Sequence, residues 1–500
     1  MDGNPEDRVG EDIPEIIPDE GNEKVVEVSQ EYLRLGSKKA LPTVLSLSAG
    51  PLVSQITTAL YGIVDTMWIS AAIGDRGMAA VSTFNNFDTI SRIFGNFLFV
   101  SASSMISSLF GSGKGEDAGR LYVDLIKVAF ICAAIVPLIF IPLTRPIGRW
   151  FGATEEIIEL GRSYVNPLLG SAIIPCLYLL SCGCLQSEGR SWTFAIMQIT
   201  SCFLNMLLFD PLFLFGFKMG IKGAAWATVM AELCPTIVVM YMYFSGKLGI
   251  KPKFSYFLAP FSENTMKAVK IGMSQLMYLL SMIIPGIIMR KFLSMTCETD
   301  EIYTNVMAGF NTMLRVYLIL NTVLLSMVQA FIPSAGFAFG AKRYRRVLFL
   351  LSHCLWISVS WILFCMIFTV GFPRWCSAIF SKSPKYLDWS EVILRNSTLM
   401  SFLSPVINLT QALLQALQLG GRATVMSLIT HMAQLPILAA ILYYTGPNNP
   451  SRMFYAYSIQ VFTGSLIAIP FGLKKLLSII DSAKTDLNDR GSDEDIIEEL

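Results

Sequence analysis

The chain has 500 residues, of which 53% are hydrophobic and 15% charged, with a net charge of +1 and a mean hydropathy of +0.55. A soluble enzyme of this length needs far more polar surface, so the balance excludes one and indicates a polytopic membrane protein. The near-neutral total hides a separation, because the acids concentrate in the two ends, residues 1–31 and 481–500, and leave a basic body between them.

In chain order, residues 1–40 read as an acidic, solvated, cytoplasmic tail and lead-in, too polar and acidic for a cleavable signal peptide. Twelve spanning helices are predicted after it, approximately at 41–70, 78–110, 121–144, 164–187, 192–215, 220–244, 266–293, 302–339, 347–372, 392–419, 423–445 and 451–472. Several contain windows without Asp, Glu, Lys or Arg, such as Ser163 to Ser187, Val316 to Ala341 and Asn396 to Gly421. These exceed the roughly 18 residues that mark a membrane helix.

The first six helices make an N-lobe, 41–244, and the last six a C-lobe, 266–472. Between them lies a cytoplasmic linker, 245–265, with Gly246, Gly249, Pro252, Pro260 and several lysines. Residues 473–500 read as a second acidic cytoplasmic tail. Lysines and arginines of the short loops, including Lys251, Lys253, Lys342 and Arg346, place both termini in the cytoplasm. The expected fold is all-α. The ten cysteines are scattered without a framework or a CxxC pair and read as small core residues.

The halves repeat one another. Phe110-Gly111-Ser112-Gly113-Lys114 matches Phe339-Gly340-Ala341-Lys342, and Gln186 to Arg190 matches Gln418 to Arg422. Ser54-Gln55 echoes Ser274-Gln275, and Phe84-Asn85 echoes Phe310-Asn311, in the same order. Each half has an even number of helices, so both enter the membrane in one orientation, and substrate is expected at their interface.

Four acids, Asp65, Asp88, Asp210 and Glu232, stand out inside apolar stretches of the first half. Acids at such positions serve ion or proton pathways by default. Counted from the outer membrane surface at about 1.5 Å per residue, Asp65 is about 7 Å deep, Asp210 about 8 Å, Thr228 about 12 Å, Asp88 about 15 Å and Glu232 about 18 Å. Four helices thus contribute oxygen ligands to one layer, which suits a hard monovalent cation or, where two carboxylates approach, a proton. Asp88 and Arg92 are spaced i,i+4 and are expected to neutralise each other; Glu232 either pairs with Arg92 or lines the cavity.

The stretches Gly50-Pro51, Tyr61-Gly62-Ile63-Val64-Asp65-Thr66, Phe110 to Lys114, Asp210-Pro211-Leu212-Phe213-Leu214-Phe215-Gly216 and Gly220 to Thr228 resemble the multidrug and toxic compound extrusion (MATE) family, closest to its DinF-like branch. The resemblance covers about residues 35 to 475 and implies a two-lobed, twelve-helix antiporter that exports organic cations and toxic compounds against sodium ions or protons. It implies a cation site at Asp65, Asn205, Asp210, Thr228 and Ala224. One position departs from the family pattern, in which the Asn precedes the Asp by four residues; here Asn205 precedes Asp210 by five. An ideal helix turns Asn205 away and puts Met206 in its place, unless Pro211 distorts the helix.

Other motifs do not hold. Gly111-Ser112-Gly113-Lys114 lacks the remaining residues of a phosphate loop, and His353 and His431 read as core or cavity residues. No enzyme, metal site beyond a monovalent cation, cofactor other than the coupling Na+ or H+, or nucleic-acid partner is expected. The expected partners are a small organic cation and the lipid bilayer, and the expected state is a monomer in the plasma membrane or an internal vesicular or vacuolar one. A lipid-linked oligosaccharide flippase is the alternative, through Arg290, Lys291, Arg315 and Arg422, with a membrane-embedded enzyme or receptor behind it.

Overall fold

The structure is a computed structural model and describes residues 34–36, 39–150, 153–297, 299–446 and 449–490. The acidic residues 1–33 and 491–500 lie outside the described residues. Ten helices and one helix pair bent by 50° (Glu155–Gly170 with Ile173–Ser187) are long and apolar enough to cross a membrane. Residues 40–73 complete the twelve. They belong to Ala40–Gly111, which is a first and a second span broken at Gly74, where φ is 72° and ψ −162°. Only glycine enters that conformation without steric cost.

After the bent fourth span come the fifth, Ser191–Gly216, and the sixth, Ile221–Phe244. The second half repeats the plan with Glu263–Thr296, Asp300–Gly340, Tyr344–Gly371, Pro384–Ala416, Gly420–Thr445 and Pro450–Lys484 as spans seven to twelve. The last helix, Tyr455–Arg490, continues past residue 472, and Ile479, 2% exposed, packs into the main core.

Two turns of the internal repeat share one register. Gly113 and Lys342 both take left-handed φ, 73° and 59°, as do Gly189 and Gln418, 72° and 60°. The offset is 229 in each case (342 − 113 and 418 − 189). Gln186 is therefore equivalent to Gln415 rather than to Gln418, and sequence similarity alone had slipped that match by three residues. In both turns the left-handed residue's N–H closes on the equivalent glutamine carbonyl, Gly189 to Gln186 and Gln418 to Gln415, at 3.1 Å.

The same symmetry builds the contact between the lobes. A Cβ on Gly111 would collide with the carbonyl of Phe337, and one on Gly340 would collide with the carbonyl of Ser108. Because Ser108 and Phe337 are themselves 229 apart, these are two copies of one close approach between the second and eighth spans. Ser104 Oγ donates to the Gln415 carbonyl at 2.7 Å and Gln418 Nε2 to Ser108 Oγ at 2.9 Å, fastening the lobes nearby. These contacts cluster at the linker end of the bundle.

Candidate functional site

The fifth span departs from an ideal helix on both sides of Pro211, one of the two alternatives that the spacing of Asn205 and Asp210 left open. Ser191–Phe203 is α-helical, followed by two π-helical segments, Leu204–Phe209 and Leu212–Gly216. The Asp210 N–H donates to the Asn205 carbonyl, closing a turn of five residues instead of four. A five-residue spacing therefore puts Asn205 and Asp210 on one face.

Pro211 accounts for the distortion. It has no N–H to return to the preceding turn, so the Met206 carbonyl has no partner five residues on. Trp68 of the first span supplies one: its indole Nε1 donates to the Met206 oxygen at 3.1 Å. The displaced turn is thus tied to the helix that carries Asp65, three residues before Trp68. Met206 itself faces elsewhere, its sulfur 3.4 Å from that of Cys202.

The Asn205 amide is oriented by what surrounds it. Its Nδ2 donates to Asp210 Oδ2 at 2.8 Å, and its Oδ1 accepts from the Thr228 backbone N–H at 3.1 Å. Thr228 Oγ1 donates to the Ala224 carbonyl at 3.2 Å, which presents the hydroxyl oxygen as an acceptor. Asn205 is 2% exposed and Asp210 fully buried, and Asp210 Oδ1 has no hydrogen-bond donor among the described residues. Asp65 is half-buried and lies within electrostatic range of Asp210. A buried carboxylate oxygen without a donor is costly, and a proton, a cation or an ordered water can satisfy it. The structure thus assembles Asn205, Asp210, Thr228 and Ala224 in direct contact, with Asp65 beside them.

One turn further along the sixth span, Arg92 Nη1 donates to Glu232 Oε1 at 2.6 Å. Glu232, its side chain 7% exposed, thus contacts Arg92 across the lobe, and the expected pairing of Arg92 with Asp88, on the same helix, falls on a residue outside the described side chains. Arg92 and Glu232 both line a cavity of about 160 Å³ that also reaches Thr58, Gln198, Asn205 and Thr228. Tyr178 and Gln198, joined at 2.6 Å, complete its wall. Neither stood out in the sequence, since neutral polar residues carry no insertion signal comparable with that of an acid.

Two further buried acids were also missed, Asp124 and Glu188, both fully buried. They lie near helix ends, where a carboxylate reads as solvated. The C-lobe also has a π turn, Leu428–Ala433, five residues earlier in the repeat register than Leu204–Phe209; at the offset of 229, Gln434 stands in the place of Asn205 and Ala439 in the place of Asp210. His431 sits in that turn with its ring edge-on to Tyr278 at 5.0 Å. Of the bases considered for a pyrophosphate site, Arg422 lies apart from the adjacent Arg290 and Lys291. Arg422 opens the eleventh span at the linker end, Arg290 is near the far end of the seventh against the Phe310 ring, and Arg315 lies against Phe380.

Twelve helices in two repeated lobes, with a polar, acid-bearing layer inside one of them, define an integral multi-pass membrane transporter. The MatE family model matches residues 52–209 and 292–440, one segment in each half, and the chain belongs to this family. It is 22% identical over 392 residues to the multidrug export protein MepA of Staphylococcus aureus, covering 77% of this chain and 84% of that one. Among solved structures it resembles a MOP superfamily transporter from Pyrococcus furiosus described as having a binding pocket of reversed polarity. The TM-score is 0.82 at 20% identity, over 90% of this chain and 99% of that one. A multidrug resistance MATE family transporter in its outward-facing conformation gives the same TM-score, identity and coverage. A MATE transporter in a bent conformation gives 0.83 at 19% identity, over 91% and 99%. The family is one of transporters and not of enzymes.

Proposed function

We propose that this protein is a cation-coupled antiporter of the DinF-like branch that exports organic cations, drugs and toxic compounds by alternating access, working as a monomer. The observation that carries the reading is the contact of Asn205 with both Asp210 and Thr228, beside Asp65. Two carboxylates, an amide, a hydroxyl and a carbonyl are hard oxygen donors suited to sodium, and the carboxylates alone suffice for protons.

Coupling follows from competition. The π turn that carries Asp210 is bonded to the first span through Trp68 and Met206, so a proton or cation arriving at Asp65 and Asp210 repacks those two spans together. The cavity wall formed by Thr58, Asn205 and Glu232 moves with them, and a lipophilic cation held there is released. The neutral Gln434 and Ala439, at the C-lobe positions equivalent to Asn205 and Asp210, support coupling through the first lobe alone.

The test is efflux of a fluorescent lipophilic cation from vesicles containing the purified protein, under an imposed sodium gradient and, separately, an imposed pH gradient. One of the two drives efflux in this account. Absence of efflux under both rejects the antiporter reading.

A further inference from the structure

The linker between the lobes carries a surface that transport through the first lobe does not use. Its backbone is fastened to the N-lobe by the two buried acids. Glu188 accepts from the Ile250 N–H at 2.9 Å and from Arg190 Nε at 3.0 Å. Asp124 accepts from the Ser262 N–H at 2.9 Å, from Thr265 Oγ1 at 2.7 Å and from Lys127 Nζ at 2.8 Å. Lys127 also donates to the Ala259 carbonyl at 2.9 Å, and Arg120 to that of Pro260 at 3.1 Å. Buried carboxylates that accept several hydrogen bonds hold their partners strongly, so the linker is kept in one shape.

That shape leaves large apolar side chains outside. Leu258 is 96% exposed, Phe254 72% and Phe261 51%. Phe254 stacks on Phe244, the last residue of the sixth span, at 4.7 Å, which keeps it at the end of a membrane helix.

The height of this surface follows from the third span. From Leu121 to Ile126 that helix is buried under its neighbours, and from Phe130 onward it exposes Phe130, Ile131 and Leu138 as a lipid-facing helix does. Lys127, which holds Ala259, stands one turn before the change. Leu258 and Phe261 flank Ala259 and so sit where the hydrocarbon begins.

The charge around them is basic. Of the nearby acids, Asp124 is engaged by Lys127, Glu116 by Lys253 at 3.5 Å and Glu263 by Lys267 at 3.2 Å, leaving exposed Asp117. Lys247 and Lys251 form no ion pair among the described residues, and Lys253 pairs only at an exposed site that a phosphate oxygen can replace. Exposed apolar side chains beside lysines, at the level of the headgroups, fit the boundary of an anionic leaflet.

We propose that residues 247–261 are a membrane-surface anchor that takes the headgroups of anionic phospholipids. Leu258, Phe254 and Phe261 enter the acyl boundary, and Lys247, Lys251 and Lys253 meet the phosphates. The anchor is rigidly joined to the N-lobe by Asp124 and Glu188, and its far end begins the seventh span, so the lipid fixes the first lobe to the leaflet on the linker side.

The experiment uses the full chain in nanodiscs of phosphatidylcholine alone or in an equal mixture with phosphatidylglycerol, each with brominated acyl chains. In Leu258→Trp, the emission added over that of the parent's eight tryptophans is expected to be quenched by bromine. The quenching is expected to be at least about twofold stronger in the anionic discs, as for a basic segment drawn to an anionic surface. Adding Lys251→Glu and Lys253→Glu removes the anionic increment. Emission that is unquenched in both discs, or quenched equally in both, overturns the proposal. Hydrogen exchange of amides 250–262 in the unmodified chain is the second measurement: slower exchange in the anionic discs is expected, and equal exchange contradicts the anchor.

Discussion

Asn205 and Asp210 are five residues apart and share a face of the fifth span, joined by an amide-to-carboxylate hydrogen bond of 2.8 Å and by the backbone bond of a π turn. A spacing that an α-helix would disperse is restored by lengthening one turn. Pro211→Ala supplies the missing N–H and lets the ordinary four-residue ladder close, which rotates Asn205 away. Gradient-driven efflux is expected to fall about tenfold, the equivalent of one charge-assisted hydrogen bond, and Asn205→Ala to fall by a similar factor. Efflux from vesicles measures both. Full activity in either variant removes Asn205 from the site.

Trp68 holds the Met206 carbonyl that Pro211 leaves without a partner. Trp68→Phe keeps the ring and removes the donor, so the chain is expected to lose about 1 kcal/mol of stability, with efflux falling more than binding of the exported cation. Thermal unfolding in detergent and equilibrium binding of the fluorescent cation separate the two effects.

Arg92 and Glu232 form a pair with one buried member. Glu232→Gln and Arg92→Gln are each expected to destabilise the protein, and the double variant to recover part of the loss. The coupling energy is expected at about 1–2 kcal/mol, below that of a fully buried pair because Arg92 retains some contact with solvent. A double-mutant cycle on thermal stability checks this; additive losses would show that the pair does not act as a unit.

The two-fold approach of the second and eighth spans predicts equal effects at positions far apart in the chain. Gly111→Ala and Gly340→Ala each drive a methyl group into a backbone carbonyl and are expected to cost about 1–3 kcal/mol apiece. Gly113→Ala meets no neighbour and is expected to cost only about 1 kcal/mol through its positive φ. Unfolding midpoints of the three variants rank these effects.

Most of the fold was legible because membrane helices advertise themselves by length and by absence of charge. Asp65 and Asp210 were legible because acids inside such stretches are costly. The contact of Asn205 was left open, since it depends on a π turn whose only sequence mark is Pro211. Glu188 and Asp124 were hidden by their places near helix ends, where burial is decided by the linker folding back over them. The slip of Gln186 onto Gln418 arose because similar letters outweighed the equivalent turn geometry at Gln415.

The central claim is that the coupling carboxylates lie in the first lobe alone. The most direct measurement is ion-driven efflux from vesicles for Asp65→Asn, Asp210→Asn and, at the C-lobe position equivalent to Asn205, Gln434→Ala. The account predicts that both aspartate variants lose gradient-driven efflux and that Gln434→Ala retains it. Undiminished efflux in both aspartate variants, or its loss in Gln434→Ala with the protein still folded, would contradict it.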